Sequence, residues 1–541
     1  MNVRVGVILD RQDVTAWEFA TLRKIADSST SRIAVVLFDR RRSGPVPVNP
    51  LLKLYMSLDR KFFRYRPDAL AKKDIGTLLT NVPVVTIGSQ SDNRENEAVA
   101  EDAAANLKTH DLDVLLDLGR HGLGGMLTAV ARCGVWYYNM RDRLKVRGGE
   151  PGFQELAEGL PVAGSMLEIL LRENGKRDVL VSSYSRTHKF SLNRGRNIVL
   201  WKSTSFVQRK LEELSRLGRD TFLQKVEREN SRPEFTTSPR RGEPSMMYVV
   251  LFVARQAWRV LRGFLAKWLY VDQWLLAYAY GQTPSTTFHA FQVMAPPKDR
   301  FWADPHVIRW NDRHFVFLEE YLYRKGRGHI SVMSLEKDGR FSAPVVALDR
   351  EYHLSYPFVF SWEGVCYMIP ETSRNKTIEL YECTSFPDRW TLKLVLMQNL
   401  RAVDATLLRH ENRWWLFTNI AENEGAETID ELFLFSADDF RTSQWIPHPL
   451  NPIVSDVRKA RPAGRIFAFE GFLYRPSQDC SEEYGGAVSF HRISTLTQQE
   501  YREVDLGSHK PEWDRSIIGL HTYSRDQDLT VIDLCKRRAR L

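Results

Sequence analysis

The sequence predicts a two-part protein, an α/β doubly wound domain followed by an all-β five-bladed propeller. Three observations predict it. Apolar, β-branched runs alternate with helical stretches as far as Leu200. Units of roughly fifty residues, each built of short aromatic-rich strands, recur through the last half of the chain. Between these parts lies "NSRPEFTTSPRRGEPS", whose Ser, Pro and Arg content reads as a linker. The boundaries that follow are 1–230 for the α/β domain, 231–286 for a linker and amphipathic helix, and 287–541 for the propeller.

In the first part, "VRVGVILD", "RIAVVLFD", "VPVVTIG", "LDVLLDLG" and "GVWYYN" read as strands. The helices expected between them are "AWEFATLRKIAD", "ENEAVAEDAAANLKTH" and the small-residue run "GGMLTAVARCG". Near-continuous apolar strands alternating with helices point to a parallel sheet covered on both faces. From Gln208 to Glu229 the pattern predicts one charged amphipathic helix with Leu211, Leu214, Leu217 and Leu223 near one face.

After the linker comes "MMYVVLFVARQAWRVLRGFLAKWLYVDQWLLAYAY". Its opening uncharged run is shorter than the ~20 apolar residues a membrane-spanning helix needs. At helical spacing Arg255, Arg259 and Arg262 share one face, while Val250, Ala254, Ala257, Trp258, Leu261, Leu265 and Trp268 lie elsewhere. Two readings follow: a helix packed between domains with solvated arginines, or a helix lying in an anionic membrane surface.

The last part contains a repeat. "DPHVIRWNDRHFVFLEE", "YPFVFSWEGVCYMIPET" and "DATLLRHENRWWLFTNI" align without a gap. Each has an anchor (Asp304, Tyr356, Asp404), a polar turn ("WND", "WEG", "HEN") and a second aromatic strand. Glu319, Glu371 and Asn419 stand fifteen residues past the anchors. Two weaker copies begin at Arg461 and His521. In a propeller each unit is a blade, so equivalent positions converge on one mouth of the axial channel. The anchors would then form one pocket, with Glu319, Glu371, Arg475, Gln478 and Asp479 close by. Carboxylates, an arginine and a histidine around a funnel suit a polyhydroxylated ligand, because carboxylates accept sugar hydroxyls and a protonated one donates to a leaving oxygen. Trp302, Trp362, Trp414 and Trp415 either stack on sugar rings or fill the cores between blades.

"FWADPHVI", "HLSYPFVF", "YMIPET", "IELYECTSFPDRW" and "AVDATLLRHENRWWLFTN" together resemble the N-terminal propeller domain of glucosamine inositolphosphorylceramide transferases, over residues 287–540. More distantly, Asp-Pro opening a blade is similar to five-bladed glycosidases. That resemblance implies Asp304 as base or nucleophile, Asp404 as the carboxylate that tunes it and Glu371 as acid. Tyr356, Arg461, His521, Glu319, Arg475 and Asp479 would hold substrate.

In the α/β part, "GVWYYNMRDRLKVRGGEPGFQELAEGLPVAGSMLEILLRENGKRDVL" resembles the core of formyltransferases that use 10-formyltetrahydrofolate. Arg147-Gly-Gly-Glu-Pro151 matches the family's Arg-Gly-x-x-Pro. The resemblance implies Asn139 in place of the family's His, Tyr137 in place of its Asn, and Gly175 in place of its Asp, with Glu173 two residues away. Neither Asn nor Tyr replaces His as a base near neutral pH. The expectation is a formyltransferase-like domain that kept the fold and lost the reaction. His121 and Asp142 are the groups left for other chemistry there.

The formal net charge of +9 favours anionic partners, or is a basic surface without a specific ligand. Five cysteines with no C-x-x-C pair argue against a disulfide framework or zinc ribbon, and no metal site is expected. The N-terminus runs straight into a strand without an apolar signal region, so the cytoplasm is the expected compartment, with membrane association through residues 246–280 as an option. No reader motif favours nucleic acid. The expected function is a carbohydrate-active protein of surface polysaccharide or glycolipid biosynthesis, with a sugar, sugar nucleotide or glycolipid as partner. The alternatives are formyl or acyl transfer to an amino-sugar nucleotide, where 10-formyltetrahydrofolate would be the cofactor, and a non-catalytic scaffold at a membrane surface.

Overall fold

A computed structural model of the 541-residue chain describes residues 2–40, 49–87, 96–119, 126–140, 152–171, 177–231, 245–336 and 340–540. The chain divides into two compact units, Met1–Arg259 with Asn423–Ala426, and Val260–Glu422 with Glu427–Leu541.

The first unit is built on a seven-stranded sheet. Its strands are β1 (Val3–Leu9), β2 (Ser31–Asp39), β3 (Val84–Ile87), β4 (Val114–Asp117), β5 (Val135–Asn139), β6 (Val162–Leu170) and β7 (Arg177–Arg186). They lie in the order β3-β2-β1-β4-β5-β6-β7. The first five are parallel, as expected, but β6 and β7 are antiparallel additions, so the sheet is mixed. The helices are α1 (Ala16–Ala26), α2 (Pro50–Phe62), α3 (Asn96–Lys108), α4 (Phe153–Glu158), α5 (Leu192–Ser203), α6 (Phe206–Leu217) and α7 (Arg219–Asn230), followed by α8 (Met246–Leu269), whose residues to Arg259 belong to this unit and whose residues from Val260 belong to the second. Alternation along β1 feeds two cores. Val3, Val5, Val7 and Leu9 pack with residues of α1, α6 and α7, and Ile8 packs with residues of α3 on the opposite face.

Two helix expectations fail for local reasons. "GGMLTAVARCG" forms no α-helix over its described residues. Ala131 already bridges in parallel to Leu112, and Leu115 donates to the Gly134 carbonyl, which draws the segment out beside the sheet. The single helix over 208–229 is two, α6 and α7, because Gly218 turns the chain at φ +76. Leu211 and Leu214 are buried as the periodicity requires, with Leu217 and Leu223 partly buried beside them.

The second unit is a five-bladed propeller. Blades one to three are four-stranded antiparallel sheets over Arg300–Leu348, Ser355–Gln398 and Arg401–Pro447. Blade four spans Arg461–His509. Blade five joins both ends of the ring: Tyr270–Tyr280 pairs antiparallel with Leu529–Ala539 along its whole length, inside a sheet that also holds Gln292–Met294 and the inner strands Ile517–Gly519 and Tyr523–Asp526. The stretch expected as linker and helix up to residue 286 therefore contains a strand of the ring. The polar turns are tight hairpins. Asn311 and Asp312, Glu363 and Gly364, and Glu411 and Asn412 all have positive φ, as a two-residue type I′ turn requires.

Candidate functional site

The repeat's anchors share a backbone feature that the alignment does not show. Asp304, Tyr356 and Asp404 have φ of +51, +42 and +52. At each, pairing with the second strand skips, from Ala303 to His306, Ser355 to Phe358 and Val403 to Thr406. Each anchor is therefore a bulge residue in the left-handed region, a conformation worth about 1–3 kcal/mol of strain for a non-glycine residue. The bulge re-aims the side chain away from the strand's regular alternation.

One partner from each second strand completes the set. Glu319 lies opposite Ala303, Glu371 opposite Ser355, Asn419 opposite Val403 and Gln478 opposite Arg461. Asp533 takes the corresponding place beside His521 in blade five, and the sequence reading missed it.

The anchors bind one another around the ring. Asp304 Oδ1 lies 3.0 Å from His521 Nε2 and accepts from the Thr522 hydroxyl, while its Oδ2 accepts from the Tyr356 amide. His521 Nδ1 lies 2.9 Å from Asp533 Oδ2, and that same oxygen accepts from the Asp304 amide at 2.9 Å. Asp404 receives the Arg461 fork, Nε at 2.6 Å and Nη2 at 3.3 Å, and the Gln478 amide at 3.1 Å. Arg461 Nη2 also lies 3.7 Å from Glu371 Oε2. Asp304, Asp404, Arg461 and His521 are all nearly buried, and Glu371, with 13% of its side chain exposed, is the most open of the acids.

Burial and neighbours drive these acids apart. Burial opposes the Asp304 charge, but the His521 cation, by attraction and hydrogen bond, carries its pKa down to about 2. Burial also works against the charge on His521, yet Asp533 and Asp304 push it up to about 10. Glu371 goes the other way: burial, then the Asp404 carboxylate, lift it well above the usual range against the pull of Arg461. Burial, then Asp304 and Glu371, lift Glu319 likewise. Burial raises Asp404 as well, opposed by Arg461. Neighbouring carboxyls are thus pushed in opposite directions, Asp304 toward the ionised form and Glu371 and Glu319 toward the protonated one, a pairing suited to accepting and donating protons at one bound molecule.

Asp304, His521 and Asp533 place three ligand atoms within 4.8 Å of one another, a donor set for a divalent cation. The His521 ring nevertheless lies between the two carboxylates, within ion-pair distance of each. A protonated imidazole bridging two acids satisfies the geometry without a metal.

Several expected contributors stand elsewhere. Tyr356 is fully buried. Its hydroxyl accepts from the Gly464 amide and pairs at 2.7 Å with Thr406 Oγ1, so it fastens blades rather than facing a ligand. Arg475 and Asp479 alternate onto the strand face opposite Gln478. Arg475 forks onto Glu503 at 2.7 and 2.8 Å inside blade four, and Asp479 accepts from the Ser481 amide. Trp302, Trp362, Trp414 and Trp415 belong to blade cores. The aromatics at the site are Tyr484, over which the Arg461 guanidinium sits at 4.8 Å, and Trp274, whose ring lies 4.1 Å from that of His521. Nothing in the repeat marks either one. Gly485 (φ +61) lets the loop approach, since a Cβ there would lie 2.5 Å from His521 Cβ. Surface cavities of 530 and 620 Å³, beside Asn193 and Arg196 in the first unit and beside Trp310 and Phe386 in the ring, lie away from the acids.

In the first unit, Asn139 sits at the end of β5 and donates to Glu168 Oε1 at 3.0 Å, while Arg177 lies over the Tyr137 ring at 4.8 Å. The strand-end position expected for the family's base therefore carries an amide bound to a buried acid. Arg147, Gly175, Glu173, His121 and Asp142 lie outside the described residues.

Residues 283–530 match the family described as "Glucosamine inositolphosphorylceramide transferase 1, N-terminal". The chain is 39% identical over 209 residues to glucosamine inositolphosphorylceramide transferase 1 of Oryza sativa subsp. japonica, covering 38% of this chain and 28% of that protein. It is 35% identical over 227 residues to the protein of that name from Arabidopsis thaliana, covering 41% and 29%. The chain thus spans less than a third of the length of these relatives. Among solved structures, Zg3597, a family 117 glycoside hydrolase of Zobellia galactanivorans, is similar over 49% of this chain and 91% of its own, at 12% identity and a TM-score of 0.33. Phosphoribosylglycinamide formyltransferase from Brucella melitensis is similar over 40% and 95%, at 13% identity and a TM-score of 0.29. These are likenesses of fold alone.

Proposed function

We propose that the propeller binds and processes a sugar at its axial mouth, within a protein that builds a glycolipid or a surface polysaccharide. The observation that carries this reading is the convergence of Asp304, Glu319, Glu371 and Asp404 on Arg461 and His521, with the acids held in opposite protonation states. Asp304, ionised, is the base or nucleophile. Glu371, protonated and the most exposed acid, donates to the departing oxygen. Asp404, gripped by Arg461 and beside Glu371, sets the readiness of that proton to leave. Glu319 accepts sugar hydroxyls and Arg461 binds hydroxyl or phosphate groups of a sugar, sugar nucleotide or glycolipid, while His521, held between Asp304 and Asp533, keeps Asp304 ionised. Asn419 is fully buried and both its amide atoms lack a partner among the described residues, which supplies further hydrogen-bonding capacity.

The match of residues 283–530 to a domain named for a glycolipid-forming transferase supports this substrate class. The α/β unit, with Asn139 where the formyltransferase base belongs, acts as a binding or assembly module. All five cysteines are free thiols, which fits the cytoplasmic side of the cell.

The test incubates the full chain with panels of sugar nucleotides and lipid-linked sugars and follows products by mass spectrometry. Glu371→Gln should bind substrate as the parent does and lose about 10²–10⁴-fold in turnover, the usual worth of a positioned general acid. Unchanged turnover in this variant would remove the acid assignment. Unchanged binding and turnover in Asp304→Asn and Asp404→Asn as well would remove the axial site.

A further inference from the structure

Helix α8 carries an apolar face that the described residues leave uncovered. Val249, Phe252 and Gln256 are buried against the first unit. On the opposite side Met247, Leu251, Ala254, Trp258, Leu261, Leu265 and Trp268 follow one another at steps of three and four, the spacing of a single helical stripe, and all are exposed. Trp258 is 63% exposed, Phe264 70% and Trp268 72%. Side chains of this size are rarely left in water on so continuous a surface.

Helix α2 runs beside the start of α8. Asn49 reaches Met246, and the Tyr55 and Phe252 rings lie 5.0 Å apart, so equal steps along both helices keep them in register and parallel. α2 exposes its own apolar line, Leu54, Leu58 and Phe62, at 57%, 47% and 73%. The rims are basic. Arg255 and Arg262 are exposed along one edge of the α8 stripe, and Lys53, Arg60 and Lys61 lie on α2. Arg259, the third arginine of the expected basic face, is not free: it donates to the Leu156 carbonyl near the end of α4.

We infer that this surface docks on a lipid bilayer with anionic headgroups, α8 lying parallel to the membrane plane. An exposed stripe carrying tryptophans suits the boundary between headgroups and acyl chains, and the arginines beside it sit at headgroup depth. Charge separates this occupant from a second copy of the chain. Self-association through the stripe would bring two sets of Arg255, Arg262 and α2 cations together, in a chain already at +9. Spanning is not the mode, because no described helix is long and apolar enough to cross a membrane. The inference stands apart from the sugar chemistry of the ring.

The test sediments the full chain with vesicles of phosphatidylcholine alone and of phosphatidylcholine with phosphatidylglycerol. Binding should be confined largely to the anionic vesicles, weaken with salt, and move tryptophan emission to shorter wavelength. The double variant Trp258→Ser/Trp268→Ser should lower partitioning about tenfold or more, as expected when the inserted apolar area is removed. Arg255→Glu/Arg262→Glu should abolish the preference for anionic lipid. Since all four side chains are exposed, each variant should keep the parent's circular dichroism and melting transition. Failure of the parent chain to bind anionic vesicles overturns the inference. So does a dimer in light scattering that the serine variant dissolves while vesicle binding stays as it was.

Discussion

The proton on Glu371 and the charge on His521 are opposite outcomes of the same burial. Beside Glu371 a second carboxylate adds to burial and favours the neutral acid, whereas the two carboxylates around His521 overcome burial and favour the cation. Their removal should therefore have different consequences. Glu371→Gln replaces one neutral hydrogen-bonding group by another, and stability near neutral pH should change by less than about 1 kcal/mol. His521→Gln strands Asp304 and Asp533 as buried, uncompensated acids, and should cost about 3–5 kcal/mol. Chemical denaturation reads both. The histidine also sets a pH slope. The folded chain keeps a proton that the unfolded chain releases at the ordinary histidine value of 6.5, so the stability His521 contributes is full below 6.5 and falls as pH rises toward about 10. Glu371 and Glu319, raised from carboxylate values, act in the same direction. The parent should lose stability across that window, and His521→Gln should show a shallower loss. A parent whose stability is flat or rises between pH 6.5 and 10 would contradict the charged bridge.

The hairpin is the element through which the site could be read in the sequence. "WND", "WEG" and "HEN" fixed three registers because both central residues of a type I′ turn must take positive φ, which few residue pairs tolerate. With those turns placed, the anchors fell at equivalent positions, and Asp304, Asp404, Arg461 and His521 do meet. What periodicity could not show is the bulge, since a one-residue skip leaves the alignment ungapped and is visible only in the pairing. Tyr356 occupies the same slot as Asp304, but its length carries the hydroxyl to Gly464 and Thr406. The tryptophans left two readings open for a plain reason: on a strand, aromatic content does not say which face is the core. Two glycines test backbone against space. A Cβ on Gly364 (φ +78) meets nothing within 4 Å, so Gly364→Ala should cost only the left-handed strain, about 1–2 kcal/mol. Gly485→Ala adds a clash with His521, and should cost about 1–3 kcal/mol more. If thermal denaturation shows the two variants equal, the loop does not press on the histidine.

At the scale of the whole molecule the ring is the feature hardest to see in the sequence, because its last blade is assembled from both ends of the unit. Tyr270–Tyr280 reads as the tail of a helix: "YVDQWLLAYAY" continues the apolar run of α8 with no Gly or Pro to mark the change. Its partner, Leu529–Ala539, lies more than 240 residues away in the chain. Within blade five, Leu276 and Val531 share a core with Val307 and Leu318 of blade one, and Leu275, Ala277 and Leu534 share another with Val488 and Phe490 of blade four. Removing the strand would expose both cores and leave Leu529–Ala539 with an unpaired edge. It would also remove Trp274 from beside His521. A fragment starting at Thr287, where the sequence suggests the boundary, should therefore be insoluble or lack a cooperative melt. One starting at Val260, which keeps the strand, should melt cooperatively with the near-ultraviolet dichroism of packed aromatics. Equal folding of the two fragments would show that the ring closes without its shared blade, and the meeting of His521 with Asp304 would then need another cause.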